Sequence, residues 1–301
     1  LHLSLRRQRQ MCIRDRNKKM KNFKLNNNQT IPAIGFGVFQ IPNNGPTYEA
    51  TLMALKAGYR HIDTAVGYMN ESDVGKAIKD SGLKREEVFI TSKLWLQDYG
   101  YENAKVGIEN SLKALDIDYI DLYLLHQPYG DYLGAWKALE EAVEEGKIKS
   151  IGISNITVNL WNKFKDGMKI MPTVNQVEFN PFVQQKQLKE EMEKNNIRLE
   201  AWFPLGHGNK DLLENETIVS LANKYHKNAG QIILRWINQM GVISLPKSTN
   251  PERIKGNIDI FDFELTPEEM EAMIALDTGK PTHNPEDPAN ETRLMGLKIH
   301  D

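Results

Sequence analysis

The sequence predicts an α/β fold in which eight parallel strands and eight helices close into a single (β/α)8 barrel. Eight short apolar segments rich in β-branched residues recur along the chain, as expected of strands buried on both faces. Amphipathic helical patterns separate these segments. The chain has 301 residues, 40% of them hydrophobic, which is enough for one large core. The predicted strands are 33–39, 59–63, 88–93, 119–126, 148–155, 173–179, 198–205 and 242–246.

The segments between the strands have helical spacing. In residues 102–115, Ile108, Leu112 and Leu115 fall on one face, and residues 134–146 repeat the pattern. The rival architecture is a doubly wound dinucleotide-binding sheet, which needs G-x-G-x-x-G between a strand and a helix. Neither that motif nor G-x-x-x-x-G-K-[ST] occurs in the sequence, so the pattern favours the TIM barrel.

Two additions to the barrel are predicted. Residues 23–32 read as a β-hairpin suited to closing the bottom of the barrel. Residues 266–277 read as an extra carboxyl-terminal helix, with Thr266 as N-cap and Glu269 completing a capping box. The Pro- and Asn-rich tail 281–293 is predicted to be an irregular loop.

The first 19 residues differ in composition from the rest of the chain. They are rich in arginine, lack a continuous apolar region, and resemble translated adapter sequence around QMCIRDR. An organellar transit peptide is the weaker interpretation. We therefore expect residues 1–19 to be a non-native or disordered extension, and residues 20–301 to form one barrel domain.

Composition disfavours several classes of function. The formal net charge of −2 gives no reason to expect nucleic acid or a membrane surface as a partner. No apolar run approaches the ~20 residues needed to cross a bilayer. Cys12 is the only cysteine, and the histidines lack ligand spacing, so no metal site is expected. These features predict a cytoplasmic protein.

Polar or aromatic residues stand where the predicted strands end. In such barrels the active site is built at the carboxyl ends of the strands. One such residue arrives every 21 to 45 positions along the chain. The set is Asp63, Lys93, His126, Asn155, Gln176, Trp202 and Lys247.

Four residues have the chemistry of a proton-donating group. The phenol of Tyr68 has an ordinary pKa of about 10, and a nearby Lys93 ammonium would lower that value. Asp63 would hold Lys93 charged and oriented, and His126 would add a neutral hydrogen-bond donor. Such a group suits proton donation to a carbonyl oxygen while hydride arrives at its carbon. His61, two residues before Asp63, is expected to be structural and to lie on the opposite face of the strand.

The motifs around these residues resemble those of the aldo-keto reductases, in particular the bacterial 2,5-diketo-gluconate and methylglyoxal reductases. The resemblance covers residues 23–280 in family order and implies a barrel that binds NADPH (NADP+) without a Rossmann domain. It also implies a catalytic set of Asp63, Tyr68, Lys93 and His126. The motifs that carry it are HIDTAVGYMNE, SKLW, LYLLHQP, IGISN, NQVEFNP and LPKSTNPERIKGN.

The same resemblance implies a cofactor site. It assigns the nicotinamide carboxamide to Ser154, Asn155 and Gln176, stacking on the ring to Trp202, and the pyrophosphate loop to Pro204, Leu205 and Gly206. It assigns the 2′-phosphate and adenosine to Lys247, Ser248, Thr249, Arg253 and Asn257. Two cations suit a doubly charged phosphate, so NADPH is favoured over NADH. Gly256 and Phe203 depart from the family pattern. Where this sequence has Gly256 the family usually has a Glu or Gln that helps hold the adenine, so we expect a lower cofactor affinity and a less strict preference for NADPH.

The substrate pocket is expected to include Phe39, Trp95 and Gln127, which suits a small carbonyl compound. The family implies a monomer. Two other hypotheses stay open: a cofactor-binding sensor or scaffold with little turnover, and a barrel aldolase using Lys93 as a Schiff-base nucleophile.

Overall fold

The structure of the chain is a computed structural model, and it describes residues 20–301. The predicted extension, residues 1–19, lies outside the described residues. Within residues 20–301, no helix is both long and apolar enough to cross a membrane.

Eight parallel strands form the predicted barrel. They pair with one another in chain order, and a bridge between Ile34, two residues before the first of these strands, and Ser244 in the last brings the two edges together. The amide of Gly35 donates to the carbonyl of Ser244 at 2.9 Å, which closes the sheet on itself. The strands are β3 (Phe36–Gly37), β4 (His61–Asp63), β5 (Phe89–Leu94), β6 (Ile120–Leu125), β7 (Ile148–Ser154), β8 (Val174–Glu178), β9 (Arg198–Trp202) and β10 (Ile243–Ser244).

Helices follow the strands and cover the outside of the barrel. They are α1 (Pro46–Ala57), α2 (Glu71–Asp80), α3 (Tyr101–Leu115), α4 (Tyr132–Glu144), α5 (Val158–Phe164), α6 (Lys186–Lys194), α7 (Lys210–Leu213), α8 (Glu216–Tyr225), α9 (Ala229–Gln239), α10 (Pro251–Ile258), α11 (Pro267–Ile274) and α12 (Pro288–Met295).

The predicted hairpin closes the amino-terminal end of the barrel. Its strands, β1 (Asn22–Lys24) and β2 (Thr30–Pro32), pair antiparallel. Leu25 and Ile31 pack against strand side chains in a cluster inside the barrel. Because the hairpin fills this end with apolar side chains, the opposite end is the one that can hold polar groups.

The carboxyl-terminal region differs in part from the prediction. Helix α11 has the predicted capping box, since Glu269 N donates to Thr266 Oγ1 at 3.2 Å and Thr266 N donates to Glu269 Oε2 at 2.9 Å. The tail is not wholly irregular, because α12 forms from Pro288 onward. Asp287 caps that helix, and Pro288 occupies its first turn, which is a favourable start for a helix.

His61 also departs from its predicted position. Its Nε2 lies 2.9 Å from Thr91 Oγ1, and its ring packs on Phe89, a member of the cluster inside the barrel. His61 therefore faces the interior, as Asp63 does, because residues two apart in a strand share a face. Burial and the charge of Lys93 lower the pKa of His61 to about 3, so this side chain is neutral.

Candidate active site

The predicted strand-end residues meet at the carboxyl-terminal end of the barrel. A cavity of about 320 Å³ opens there. Lys93 lies beneath the others and is fully buried. The six that line the cavity are Asp63, His126, Asn155, Gln176, Trp202 and Lys247.

Lys93 is the centre of a buried hydrogen-bond network. Its Nζ donates to Asp63 Oδ1 at 2.5 Å, to the carbonyl oxygen of Thr64 at 2.9 Å and to Tyr68 Oη at 3.1 Å. An ammonium has three hydrogens, so all of them are used. Tyr68 is placed by a short 3₁₀ turn, Val66–Tyr68, directly after β4. The strand that ends at Asp63 therefore sets the position of Tyr68 as well.

Burial and charge compete at this network. Burial is the largest single effect on Lys93 and lowers its pKa. The neighbouring Asp63 and then Tyr68 together raise the pKa by more, so the pKa of Lys93 is raised overall. A raised pKa keeps this amine protonated, which does not suit a Schiff-base nucleophile. For Tyr68, burial raises the pKa more than Lys93 lowers it. The expectation of a lowered pKa is therefore wrong for the protein alone: the lysine acts in the predicted direction but is the weaker effect.

His126 follows β6 and lies beside Tyr68. The two ring centroids are 5.6 Å apart, and Trp95 packs on the far edge of the imidazole at 5.3 Å. Burial, followed by the charge of Lys93, lowers the pKa of His126 well below its ordinary value. The imidazole is therefore neutral, as predicted. Its Nδ1 is buried and has no hydrogen-bond partner within the described residues.

Amide side chains connect the two walls of the cavity. Asn155 Oδ1 accepts from Trp202 Nε1 at 3.0 Å, and Asn155 Nδ2 lies 3.4 Å from Gln127 Oε1. Ser154 Oγ donates to the carbonyl oxygen of Gln176 at 2.9 Å. Gln176 Nε2 in turn donates to Asp63 Oδ2 at 2.9 Å. The residues expected at the nicotinamide are thus bonded to one another and to the Lys93 network.

A second cavity continues from the first. It has a volume of about 580 Å³ and shares Phe203, Leu245 and Lys247 with it. Of the residues expected along the cofactor, those lining it are Pro204, Leu205, Lys247, Arg253 and Asn257.

The remaining predicted residues of the phosphate and adenosine end, Gly206, Ser248 and Thr249, come one or two positions in sequence after residues that line this second cavity, which we call the groove. Gly206 follows Leu205 with a φ of 57°, a conformation that glycine adopts readily. Ser248 and Thr249 lie in the loop between β10 and α10, and Ser248 Oγ accepts from Asn250 N at 3.0 Å. Asn250 then caps α10, which places Arg253 in the first turn of that helix.

The predicted pocket residues divide into two groups. Phe39 and Gln127 line the smaller cavity, and Phe39 packs on Tyr68 at 5.0 Å. Trp95 instead lies behind His126, with its Nε1 donating to the carbonyl oxygen of Leu297 at 3.0 Å. Its contact with the pocket is through the histidine ring.

Some lining residues of the smaller cavity were not predicted for any role in the site, and three of them have large side chains that reach it from outside the strands. His283 and Arg293 reach the smaller cavity from the carboxyl-terminal tail, and Phe203 lies between the two cavities. Phe203 has a φ of 49°, which is uncommon for a bulky residue, and its ring packs on Phe39 and Trp202. The Asp287-Pro288 helix start was the available signal that the tail is ordered, but no local pattern indicates which of its side chains reach the cavity.

Glu200 was also missed. It is a fully buried carboxyl in the middle of β9, and its Oε2 accepts from Gln176 Nε2 at 2.8 Å. Burial first, and then the neighbouring Asp63, raise its pKa to about 8. A single acidic residue between the apolar residues Leu199 and Ala201, in the segment RLEAW, was the signal for it.

Groups of three or more His, Cys, Asp or Glu side chains suited to a metal ion are absent from residues 20–301.

Comparison with known proteins gives concordant matches. Residues 33–278 match the Aldo/keto reductase family. The glyoxal reductase of Bacillus subtilis (strain 168) is 47% identical over 254 residues, which covers 84% of this chain and 91% of that protein. The methylglyoxal reductase DkgA of Escherichia coli (strain K12) is 41% identical over 260 residues, 85% of this chain and 94% of that protein.

Solved structures agree with the fold. MGS-M4, an aldo-keto reductase from a Medee basin deep-sea metagenome library, has 45% sequence identity and a TM-score of 0.86 over 89% of this chain and 99% of its own. A mutant of Gox0644 in complex with NADPH has 38% sequence identity and a TM-score of 0.82. The match covers 89% of this chain and 98% of that one. By its sequence and its barrel, the chain belongs to the aldo/keto reductase family of oxidoreductases.

Proposed function

We propose that the protein is an NADPH-dependent reductase that converts small aldehydes, ketones or dicarbonyls into alcohols. Tyr68 is the proton donor, and Lys93, Asp63 and His126 assist it. The observation that carries this proposal is the saturated Lys93 network, which presents Tyr68 to a cavity continuous with a cation-lined groove.

The network suits Tyr68 to release a proton into the cavity. Its Oη accepts from Lys93 Nζ at 3.1 Å, which leaves the phenolic hydrogen free for a carbonyl oxygen. As the proton leaves, the ammonium of Lys93 stabilises the phenolate. Asp63, at 2.5 Å, keeps that ammonium in place.

His126 acts as a neutral hydrogen-bond donor. A neutral imidazole carries one N–H, and Nδ1 is buried with no partner in the described part of the chain. An unpaired buried donor costs more than an unpaired lone pair, so we assign the hydrogen to Nε2. From that position the imidazole orients the carbonyl oxygen toward Tyr68.

The groove fits a phosphorylated dinucleotide. Lys247 and Arg253 are exposed, and neither forms an ion pair within residues 20–301, so both are available to a phosphate. Gln176, Asn155 and Ser154 would hold the carboxamide, and Trp202 would stack on the ring. When bound, the cofactor supplies the hydride. A Cβ atom at position 256 would lie 3.9 Å from the side chains of Asn228 and Gln231. Gly256 therefore leaves open space beside Asn257.

The smaller cavity suits small substrates. Its volume of about 320 Å³ is partly lined by Phe39, Trp202 and Phe203, with polar groups from Gln127 and Arg293. Two similar proteins are named glyoxal reductase and methylglyoxal reductase. Glyoxal and methylglyoxal are therefore the first substrates to test.

The test follows the absorbance of NADPH with each dicarbonyl and identifies the organic product by mass spectrometry. We expect NADPH to be consumed in equal amount to the alcohol formed, and faster than NADH at the same concentration. NADPH binding without turnover on any of a panel of aldehydes and ketones would favour the sensor hypothesis instead. Absence of NADPH binding would show that the assignments at Lys247 and Arg253 are wrong.

A further inference from the structure

Glu200 is a buried acid without a role in the proposed reaction. Its side chain is fully buried in the barrel, and its Oε1 has no hydrogen-bond partner within the described residues. Burying a polar group that is only partly bonded destabilises a protein, so its position inside the barrel needs a reason. The hydrogen bond of its other oxygen suggests that reason, because Glu200 Oε2 accepts from Gln176 Nε2 at 2.8 Å.

The amide of Gln176 lies between two carboxyl groups. Its Nε2 donates to Asp63 Oδ2 at 2.9 Å as well as to Glu200, so both amide hydrogens are used. The reversed amide would place its oxygen against the carboxylate of Asp63, which is paired with Lys93. Of the two acids, Asp63 therefore fixes which end of the amide is nitrogen. Together the two acids also fix its plane, because two hydrogen bonds in different directions prevent rotation about the terminal torsion.

The oxygen end of the same amide is available to the cavity. Gln176 lines the cavity beside Asn155 and Trp202, and its Oε1 has no hydrogen-bond partner in residues 20–301. With the nitrogen held by two acids, this oxygen is available as an acceptor. The primary amide of a nicotinamide ring offers two N–H groups that match it.

We propose that Glu200 is a positioning residue for the cofactor, which acts with Asp63 to hold Gln176 so that its Oε1 accepts from the nicotinamide carboxamide. The inference rests on the proposed function. It gives Asp63 two tasks, since Oδ1 holds Lys93 and Oδ2 holds Gln176. Glu200 supplies the second restraint on the amide, so that the ring is presented in one orientation to the carbonyl above Tyr68.

The test compares two cofactors in Glu200→Met, which keeps the length of the side chain but removes the acceptor. NADPH carries the carboxamide, whereas the reduced 3-acetylpyridine analogue carries a methyl ketone with no N–H. We expect the Kd of NADPH, measured by fluorescence titration, to rise by about tenfold because Gln176 loses one of its two restraints. The Kd of the analogue should change by less than about twofold, because it has no N–H for Gln176 to accept.

A conservative variant separates the hydrogen-bond acceptor from the acid. Glu200→Gln retains an oxygen that accepts from Gln176, so it should recover most of the NADPH affinity that Glu200→Met loses. If Glu200→Met does not fold, Glu200→Thr carries the same comparison, since threonine suits a strand and is too short to reach Gln176. Circular dichroism of each variant confirms folding before the titrations.

The outcomes are distinct. An equal loss for NADPH and the analogue would show that Glu200 acts on the fold and not on the carboxamide, and would overturn the proposal. An unchanged NADPH affinity in Glu200→Met would overturn it as well. Failure of the wild-type protein to bind NADPH would instead contradict the proposed function, before any variant is made.

Discussion

Tyr68 shows how two opposing effects set the behaviour of one residue. Burial raises its pKa and Lys93 opposes the rise, with burial the larger effect. The phenol is therefore protonated at neutral pH and ready to act as an acid in the direction of reduction. Residue types and spacing predicted the partners of Tyr68 correctly. They did not predict the net direction of its pKa, since that depends on how deeply the barrel encloses the group.

The cations of the groove give a prediction about cofactor choice. Replacing Arg253 or Lys247 with methionine should raise the KM for NADPH by about 10- to 100-fold, because each would remove a charge-assisted hydrogen bond to the 2′-phosphate. The KM for NADH, which lacks that phosphate, should change by less than about threefold. Steady-state kinetics with both cofactors measures the two effects.

Lys255 offers a matched control for this pair. It lies on the same helix as Arg253, its side chain is 70% exposed, and it is not among the residues that line the groove. Lys255→Met should leave both KM values near those of the wild type. Equal losses with NADPH and NADH in Arg253→Met would mean that Arg253 does not contact the 2′-phosphate.

The buried acid of β9 makes a prediction about stability and pH. The pKa of Glu200 is about 8 in the folded protein, against 4.5 as its ordinary value. Between these values the folded protein holds a proton that the unfolded chain has released, so raising the pH favours the unfolded chain. Glu200 should therefore lower the free energy of unfolding by up to about 1.4 kcal/mol per pH unit between pH ~5 and ~8.

Glu200→Gln removes this titration and keeps the shape of the side chain. Urea unfolding midpoints are measured at pH 5.5, 7 and 8.5. The midpoint of the variant should rise relative to that of the wild type as the pH rises. His61 and His126 have lowered pKa values and act in the opposite direction, since they favour the folded protein as pH rises toward 6.5. They are present in both proteins and cancel in the difference. Parallel curves for the two proteins would show that the carboxyl does not titrate in this range.

At the scale of single elements, two helical glycines differ in what surrounds them. A Cβ at Gly75 in α2 would lie 2.2 Å from the carbonyl oxygen of Leu115, at the end of α3. A Cβ at Gly256 in α10 would have only ordinary contacts, at 3.9 Å. Gly75→Ala should cost about 2–3 kcal/mol of stability, because a backbone atom must move. Gly256→Ala should gain about 0.5–1 kcal/mol, because alanine has the higher helix propensity.

Urea unfolding of the two variants checks this pair. Each serves as the control for the other, because the chemical change is the same and only the neighbours differ. A destabilised Gly256→Ala or an unaffected Gly75→Ala would mean that the packing of these helices differs from that described.

Elements with their own local signals were predicted well. The capping box of α11 and the hairpin of residues 23–32 each depend on residues within a few positions of one another. Helix α12 had a local signal too, in Asp287 and Pro288, but it is short and lies in a Pro- and Asn-rich segment that suggested a loop. His61 was assigned to the wrong face of β4, although the two-residue period of a strand places it with Asp63.

At the scale of the molecule, the barrel explains why distant residues could be predicted to meet. Asp63, Lys93 and Gln176 lie on three different strands, and the parallel sheet brings their carboxyl ends to one side. Regular arrival of a polar residue at each strand end was therefore a signal of a common site. The two-acid arrangement around Gln176 gave no such signal, because it depends on contact across the inside of the closed barrel.

The carboxyl-terminal tail likewise contributes side chains to the site that no local sequence pattern indicates. His283 and Arg293 reach the cavity only because the chain returns across the mouth of the barrel after the eighth strand. Glu178 at the end of β8 helps to hold this return, since it accepts from Thr282 N at 2.7 Å. A contact between residues more than 100 positions apart in sequence has no local pattern, so these pocket residues were found only in the structure.

The proposed reaction requires that Tyr68 gives its proton to the substrate carbonyl. Single-turnover oxidation of bound NADPH by methylglyoxal, compared between the wild type and Tyr68→Phe, tests it most directly. We predict that the rate falls by about 10²- to 10⁴-fold in the variant, while the Kd of NADPH changes by less than about threefold. Lys93 remains bonded to Asp63 and Thr64 in that variant, so the site is otherwise retained. A Tyr68→Phe protein that oxidises NADPH at the wild-type rate would show that Tyr68 is not the proton donor.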